Sequence, residues 1–299
     1  MAPLSQKSNR TFALTIDVED YFQVCAFSNV VNRSDWGRYP YRAGATTRRL
    51  LDLLDAHKAR ATFFVLGWIA ARDPALVREI VARGHELASH GCNHEKVGAL
   101  SPRAFAEDVR ASKARLEDIG GVPVFGYRAP SFSISDATPF AYETLRAAGY
   151  AYSSSAHPIA HDHYGDPNGL RSIHHPIPRD PFIEAPVATV SLFGRRMSAA
   201  GGGWFRATPS AAARWLLERA ANQLSGPAIF YLHPWEIDPT QPRIGNAPLK
   251  SRMRHYLNLK TTETKFQKLL AAFEWRALAP LLGLADQNAP INKPMKVAS

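Results

Sequence analysis

Three carboxylates lie within four residues near the start of the chain, as Asp17, Glu19 and Asp20. Carboxylates this close repel one another unless a cation or a shared proton offsets their charge. They end an apolar run at residues 12–18, which has the composition of a buried strand. The segment is therefore a candidate for cation binding or acid-base chemistry, with a solvated acidic loop as the alternative interpretation.

Two histidines four residues apart, His90 and His94, follow a second candidate strand. On one turn of helix or on a tight loop, this spacing can direct both imidazoles at one point, as a metal ion requires. Cys92 lies between them, but its side chain should point away from the face that the histidines share, so we interpret it as a packing residue. Surface histidines at this spacing also occur by chance, and the metal hypothesis therefore depends on the carboxylates.

Two later segments carry further candidate residues just after predicted strands. In the first, Pro130 restricts the backbone and Arg128 offers a planar guanidinium that can hold a carboxylate. In the second, His233 follows a hydrophobic run at residues 228–232. The alternatives are an ordinary surface arginine and a structural histidine.

Together these residue types are those of metal-assisted amide hydrolysis. Two histidines and one carboxylate make a three-ligand metal site with an open position. A second carboxylate can serve as general base and a distant histidine as general acid. The segments follow strands, and parallel α/β folds place their active sites at the carboxyl ends of strands.

Strands and helices alternate along the first half of the chain. Residues 12–18, 61–66, 85–89 and 124–127 are predicted strands. Leucines at positions 50–54 predict one helix, and the pairs Asp73-Pro74, Ser101-Pro102 and Thr138-Pro139 predict the starts of three more. The alternation predicts a parallel sheet, either open or closed into a barrel.

The second half is less regular. Residues 158–181 are rich in His, Pro, Asp and Gly, which predicts a long functional loop or an insertion. Beyond it we predict strands at 182–192 and 228–232, a turn at 201–203, and helices from Thr208-Pro209 and over 261–273. We also predict a flexible tail at 1–10 and a disordered tail at 287–299.

The composition argues against several classes of protein. The net charge of +10 could suit nucleic acid, but the basic residues are not clustered, so we expect no nucleic-acid partner. Two cysteines, Cys25 and Cys92, do not make a disulfide framework. No run approaches the roughly 18 apolar residues of a membrane span, and residues 1–10 have no secretory-signal core. We therefore expect a cytoplasmic protein without a transmembrane segment, whose basic surface could suit an acidic or lipid-linked sugar.

The order of these motifs resembles that of polysaccharide deacetylases with a NodB homology domain. That family has an acidic pair after strand one, then H-x-x-x-H, an R-x-P segment and a late Leu-His. This chain has them in that order at residues 17–20, 90–94, 128–130 and 232–233. The segments TIDVEDYF, GGGWFR and YLHPWEIDPTQPR further resemble the bacterial subgroup associated with exosortase-linked exopolysaccharide loci.

The resemblance implies a distorted (β/α) barrel of the NodB type, irregular and with fewer than eight strands. The deacetylase domain would cover residues 11–240, and residues 241–286 would form a C-terminal extension packed on the barrel. A divalent ion, zinc or else cobalt or another metal, would be held by His90, His94 and an aspartate.

For the reaction, the resemblance implies Asp17 as the base, oriented by Arg128, and His233 as the acid that protonates the leaving amine. A backbone N–H near Ser131 and the metal would stabilise the oxyanion. The other substrate contacts would be Tyr127, Pro130, Phe132 and Trp235, of which the last two could form an apolar wall for the acetyl methyl or simply pack under the loops.

The chain departs from the family pattern at two places. The family's acidic pair is adjacent, whereas two residues separate Asp17 from Asp20, so the third metal ligand is either Asp20, which we favour, or Glu19. Ser153 also stands where family members tend to have an aspartate. If that aspartate tunes the acid histidine, Glu236 or Asp238 could replace it.

The predicted function is metal-dependent removal of N-acetyl groups from amino sugars of a polysaccharide or its precursor, in bacterial exopolysaccharide biosynthesis. One alternative is hydrolysis of a small cyclic or formylated amide on the same fold, and another is a catalytically weak glycan-binding relative. A loop at 158–181 that closed the cleft would favour a small substrate, and an open groove would favour a polymer.

Overall fold

The computed structural model describes residues 11–161 and 165–284. The predicted tails at 1–10 and 287–299 therefore lie outside the described residues. Within those ranges no helix is both long enough and apolar enough to cross a bilayer.

Short strands dominate the sheet structure. The first strand is the longest, and four strands have only two or three residues. The described strands are Thr11–Val18 (β1), Thr62–Val65 (β2), Glu86–Ser89 (β3), Gly126–Tyr127 (β4), Tyr152–Ser153 (β5), Ile183–Glu184 (β6), Thr189–Leu192 (β7), Arg195–Ser198 (β8), Ala228–Leu232 (β9) and Glu274–Arg276 (β10).

Helices separate most of these strands. Short 3-10 helices occur in the loops that follow β1, β3, β4 and β9. The described α-helices are Ala43–Ala56 (α1), Gly67–Arg72 (α2), Pro74–Ala82 (α3), Pro102–Gly120 (α4), Ala141–Ala147 (α5), Gly202–Ala207 (α6), Ser210–Gln223 (α7), Leu249–Tyr256 (α8), Leu259–Ala272 (α9) and Leu278–Leu281 (α10).

In the described residues the main sheet is parallel and eight-stranded, which confirms the predicted α/β fold of the distorted-barrel type, whereas the resemblance implied fewer than eight strands. Its order runs β10-β1-β2-β3-β4-β5-β6, and β9 also pairs with β1. The two-residue strands β4 to β6 account for its irregularity. Strands β7 and β8 form a separate antiparallel hairpin.

Local sequence explains where the regular elements begin. The side chains of Asp73 and Ser101 cap α3 and α4 by accepting hydrogen bonds from Leu76 N–H and Ala104 N–H, and a proline follows each cap. Strand β1 is buried along almost its whole length and pairs with β2 on one side and β9 on the other, as in the interior of a parallel sheet. The helices and strands predicted for the first half of the chain are present in the structure. Helix α2 was not predicted.

The glycine segment at 201–203 is not the simple turn that its composition predicted, because α6 begins at Gly202. Gly201 forms a bridge with Tyr231 of β9 and has a φ of 131°. A Cβ atom at position 201 would lie 1.9 Å from the Tyr231 carbonyl oxygen, so only glycine permits this approach. The close approach carries the chain directly into α6, which contributes Arg206 to the site described below.

Parallel pairing brings the carboxyl ends of the first strands to one edge. Asp17 pairs with Phe64, Val65 with Ser89, and Ser89 with Tyr127. The segments that follow β1, β3 and β4 therefore emerge side by side. Strand β9 lies on the other side of β1 and brings His233 to the same edge.

Burial of His85 makes the fold sensitive to acid. Its ring is 2% exposed, its Nδ1 accepts the Ala61 N–H, and burial lowers its pKa from 6.5 to about 4. As pH falls from 6.5 to 4, the unfolded chain takes up a proton at this residue that the folded chain does not. The stability is thus complete above pH 6.5 and declines below it, by up to about 1.4 kcal/mol per pH unit.

We predict that His85→Phe reduces this pH dependence by up to one proton. The check is the slope of the unfolding free energy against pH between 6.5 and 4, from denaturant titrations of both proteins. An unchanged slope would show that His85 does not contribute to acid sensitivity.

Candidate metal and catalytic site

Three side chains that suit a divalent ion converge at the carboxyl edge of the sheet. Ligand atoms of Glu19, His90 and His94 all lie within 4.8 Å of one another, and all three residues are buried. Glu19 follows β1, and both histidines belong to the loop after β3. Two imidazoles and one carboxylate form a three-ligand set that leaves a coordination position open.

The backbone fixes the direction of both histidines. The Nδ1 of His90 lies 2.8 Å from the carbonyl oxygen of Arg128, so it donates there and leaves Nε2 for an ion. His94 has a left-handed φ of 53°, and the Arg33 guanidinium donates to the carbonyls of Asn93 and His94. The loop is therefore held in a conformation that a β-carbon ordinarily disfavours.

The donors of this cluster fit a metal ion. The buried Oε2 of Glu19 has no hydrogen-bond partner, although it lies 2.7 Å from His94 Nε2. Burial opposes charge on both groups, yet their mutual attraction lowers the pKa of Glu19 and raises that of His94 to about 10. Burial lowers the pKa of His90 to about 4, which keeps that imidazole neutral as a ligand must be.

The structure corrects the choice of Asp20 as the third ligand, because its carboxylate is used elsewhere. It accepts hydrogen bonds from the backbone N–H groups of Tyr21, Arg42 and Ala43, and so ties β1 to the start of α1. Burial raises the pKa of Asp20 to about 6 against the lowering effect of these donors. Glu19, the alternative considered above, occupies the position in the cluster.

Asp17 and Arg128 form a buried ion pair beside the cluster. Arg128 Nη1 donates to Asp17 Oδ1 at 2.7 Å, and the guanidinium is entirely buried. Thr15, the Ser154 carbonyl and the Ser154 hydroxyl accept its other hydrogen bonds. Only one oxygen of Asp17 is used by Arg128, and Asp17 also lines the cleft.

His233 lies across the cleft and is held from behind by Glu236. Its Nδ1 is 2.7 Å from Glu236 Oε1, and its Nε2 is 3.9 Å from Asp17 Oδ2 and 3.5 Å from Glu19 Oε1. Burial disfavours a charged ring, but Glu19, Glu236 and Asp17 raise the pKa of His233 above its usual value. The Nε2 can therefore carry a proton that faces the cleft.

Glu236, the partner of His233, lies in the short 3-10 helix Pro234–Ile237 that directly follows this histidine. Glu236 forms an ion pair with Arg206 of α6, Nε to Oε2 at 2.7 Å, without hydrogen-bond alignment. Burial opposes ionisation of Glu236, but Arg206 and His233 hold its pKa below the usual value. Of the two candidates to replace the family's aspartate, Glu236 contacts His233, whereas Asp238 pairs with Arg42. Ser153 is buried and donates to Ser155.

Trp235 connects the histidine to the metal cluster. Its indole N–H donates to Glu19 Oε1 at 3.1 Å, and its ring stacks on His233 with centroids 5.2 Å apart. On its other side it stacks on His255 at 4.1 Å. Trp235 therefore contacts both the carboxylate of Glu19 and the imidazole of His233.

The predicted substrate contacts divide into two groups. Ser131, Phe132 and Trp235 line the cleft, which has a volume of about 150 Å³. Tyr127 and Pro130 do not, and the structure corrects both: Tyr127 is 1% exposed and packs against Phe105 and Tyr150 beneath the sheet. Pro130 is buried where the backbone turns toward Ser131.

Several residues of the site were not predicted. Arg206 carries no sign of its role except its place in the GGGWFR segment. The other unpredicted residues are small or apolar, which gives them no recognisable pattern in the sequence. They are Val24, Cys25, Ala26, Ala129 and Tyr231.

Two protein families match consecutive parts of the chain. Residues 29–153 match the polysaccharide deacetylase family, and residues 154–283 match a domain of unknown function (DUF3473). The junction does not coincide with a break in the fold, because β6 and β9 of the second region belong to the same sheet as β1 to β5.

Curated relatives share sequence with part of the chain. A peptidoglycan-N-acetylglucosamine deacetylase of Bacillus cereus is 35% identical over 104 residues, which cover 35% of this chain and 47% of the relative. A chitooligosaccharide deacetylase of Bradyrhizobium sp. is 35% identical over 96 residues, 32% of this chain and 42% of the relative. The matched segment thus spans less than half of each relative.

A crystal structure from Mycobacterium smegmatis, described as that of a polysaccharide deacetylase, has the same fold. It aligns with 96% of this chain and 96% of its own, at 18% identity and a TM-score of 0.54.

We predict that Glu19 and Asp20 respond differently to loss of charge. Glu19→Gln should lower the affinity for zinc or cobalt by more than the roughly 10–100-fold lost with an outer-shell partner, because it removes a ligand. Asp20→Asn should leave metal binding intact and cost about 1 kcal/mol of stability through weaker capping of α1. Metal content after dialysis and denaturant unfolding of both variants check this. If only the Asp20 variant lost its metal, Asp20 rather than Glu19 would be the third ligand.

Proposed function

We propose that this chain, whose residues 29–153 match the polysaccharide deacetylase family, is a metal-dependent hydrolase that removes N-acetyl groups from amino sugars. The observation that carries the proposal is the convergence of the Glu19, His90 and His94 cluster with Asp17 and His233 in one cleft. We further propose a polysaccharide or its precursor as substrate, zinc as the ion, and a role in bacterial exopolysaccharide biosynthesis.

Asp17 is placed to act as the general base. A divalent ion held by the cluster would supply Lewis acidity toward the acetyl carbonyl. Arg128 holds one oxygen of Asp17, so the other can take a proton from the attacking water. Because the Arg128 guanidinium is fully buried and makes four hydrogen bonds, it holds the Asp17 carboxylate in one orientation.

His233 is placed to protonate the leaving nitrogen. Glu236 accepts from Nδ1, which orients the ring and leaves the proton on Nε2 directed toward the cleft. This arrangement supports an active enzyme over a silent glycan-binding relative, since the function of the aspartate missing at Ser153 has a local substitute.

The wall of the cleft suits an acetyl group. Phe132 and Trp235 offer apolar surface for the methyl, as expected from the resemblance. Ser131 and Phe132 have left-handed φ values of 55° and 48°, so the backbone is strained beside the cluster. We assign the Ser131 N–H to the developing oxyanion.

The loop at 158–181 supports a polymer over a small substrate. No described residue of that segment lines the cleft that contains the cluster. His161 borders a neighbouring cavity, and residues such as Asp166 and His174 line a different one. A cleft that no described residue of this loop closes suits a chain that passes through it.

Acetate release from N-acetylglucosamine oligomers tests this function. The purified protein should release acetate only with zinc or cobalt. Asp17→Asn should keep its metal and lose about 100-fold or more in turnover, whereas His90→Ala should lose both metal and activity. Release of acetate without metal would contradict the proposal. If a protein with one bound metal ion released no acetate, the substrate would be a different amide.

The Glu236 contact makes a separate prediction about the leaving group. Glu236→Gln should slow deacetylation of amides by roughly 100-fold, because the acid histidine loses its anionic partner. Hydrolysis of an activated acetate ester should fall much less, since a phenolate leaves without a proton. The exposed Glu143→Gln serves as the matched control and should change neither rate. Equal losses on both substrates would indicate a structural role for Glu236.

A further inference from the structure

Helix α8 presents an unusual apolar surface. Leu249 and Met253 are 69% and 66% exposed, and Leu257, directly after the helix, is 41% exposed. Positions four residues apart lie on one face of a helix, so the three side chains form a stripe. We call these three residues the α8 stripe. Isolated exposed apolar residues are ordinary, but a stripe of this kind marks an interaction surface.

The opposite side of α8 is anchored to the site. His255 is buried, stacks on Trp235 at 4.1 Å, and lies 2.7 Å from Gln241 through Nε2. Arg206 donates to the His255 carbonyl as well as forming its ion pair with Glu236. The stripe is therefore held rigidly outward by contacts that also support His233.

The charge around the stripe is positive. Lys250, Arg252 and Arg254 lie on α8, which has no acidic residue, and the whole chain has a formal charge of +10. An apolar stripe with lysine and arginine beside it is the pattern of helices that lie in the interface of an anionic membrane. A protein partner with an apolar groove would not require this charge.

A cavity next to the reaction cleft is also lined by one residue of the stripe, Leu257. It has a volume of about 350 Å³, and Leu257, Arg254 and Trp204 line it on the α8 side. Val24, Ala26 and Trp235 line both this cavity and the cleft with the metal cluster. Trp204 is itself 38% exposed, so a fourth large apolar side chain lies near the end of the stripe.

We propose that the α8 stripe and its basic residues seat this protein on an anionic lipid surface, with the cavity opening toward that surface. The headgroups would contact Lys250, Arg252 and Arg254, and Leu249, Met253 and Leu257 would enter the boundary with the acyl chains. A saccharide attached to a lipid would then reach the cleft through the cavity. This last consequence rests on the proposed function, whereas attachment to the membrane does not.

Co-sedimentation of the full chain with lipid vesicles tests the proposal. Vesicles of phosphatidylcholine with a third phosphatidylglycerol should bind the protein, and binding should weaken as salt rises. Phosphatidylcholine alone should bind it far less. The double variant Leu249→Gln/Met253→Gln should have an affinity for these anionic vesicles that is lower by about tenfold or more. Glutamine preserves the helix but removes the apolar side chains.

The matched control is Leu170→Gln, which removes a leucine of similar exposure, 61%, from a distant loop and should bind like the unaltered protein. The double variant should retain deacetylation of water-soluble oligomers, so that failure of attachment and failure of the enzymatic proposal can be told apart. Binding that survives the double variant, or no binding to anionic vesicles, would overturn the proposal. In the second case, a dimer that the double variant dissociates would identify a second copy of the chain as the occupant.

Discussion

The buried guanidinium of Arg128 is the constraint on which the site depends. The side chain of Arg128 forms an ion pair with Asp17 and donates hydrogen bonds to Thr15 and Ser154. The main-chain carbonyl of Arg128 accepts a hydrogen bond from His90 Nδ1. The proposed base, Asp17, and one proposed metal ligand, His90, therefore take their positions from the same residue. Removing one partner of such a buried pair typically costs about 3–5 kcal/mol, because a charge is left without compensation.

The second half of the chain completes the site rather than adding a separate unit. The deacetylase family match ends at residue 153, yet His233, Glu236, Trp235 and Arg206 all lie beyond it. Strand β9 brings the histidine to the edge where β1 ends, and Gly201 lets α6 approach that strand closely enough for Arg206 to reach Glu236. This gives the region of unknown function a structural role, because it supplies the proposed acid histidine and the tryptophan that donates to Glu19.

Much of this could be predicted from sequence, because periodicity and capping are local. The prolines after Asp73 and Ser101 mark α3 and α4, and the order of the motifs indicates which side chains meet. The choice between Glu19 and Asp20 could not be made, since it depends on whether a carboxylate turns toward His94 or toward the backbone of α1. The burial of Tyr127 and the outward face of α8 likewise depend on packing between distant segments.

The central claim is that one ion is held by Glu19, His90 and His94 while Asp17 stays outside its coordination sphere. Anomalous diffraction at the absorption edge of bound zinc or cobalt tests it most directly. We expect a single peak at distances of about 2.0–2.2 Å from one Glu19 oxygen and from a nitrogen of each histidine, with Arg128 still paired to Asp17. A peak on Asp20, or an ion bound by Asp17 in place of Glu19, would contradict the assignment of ligand and base.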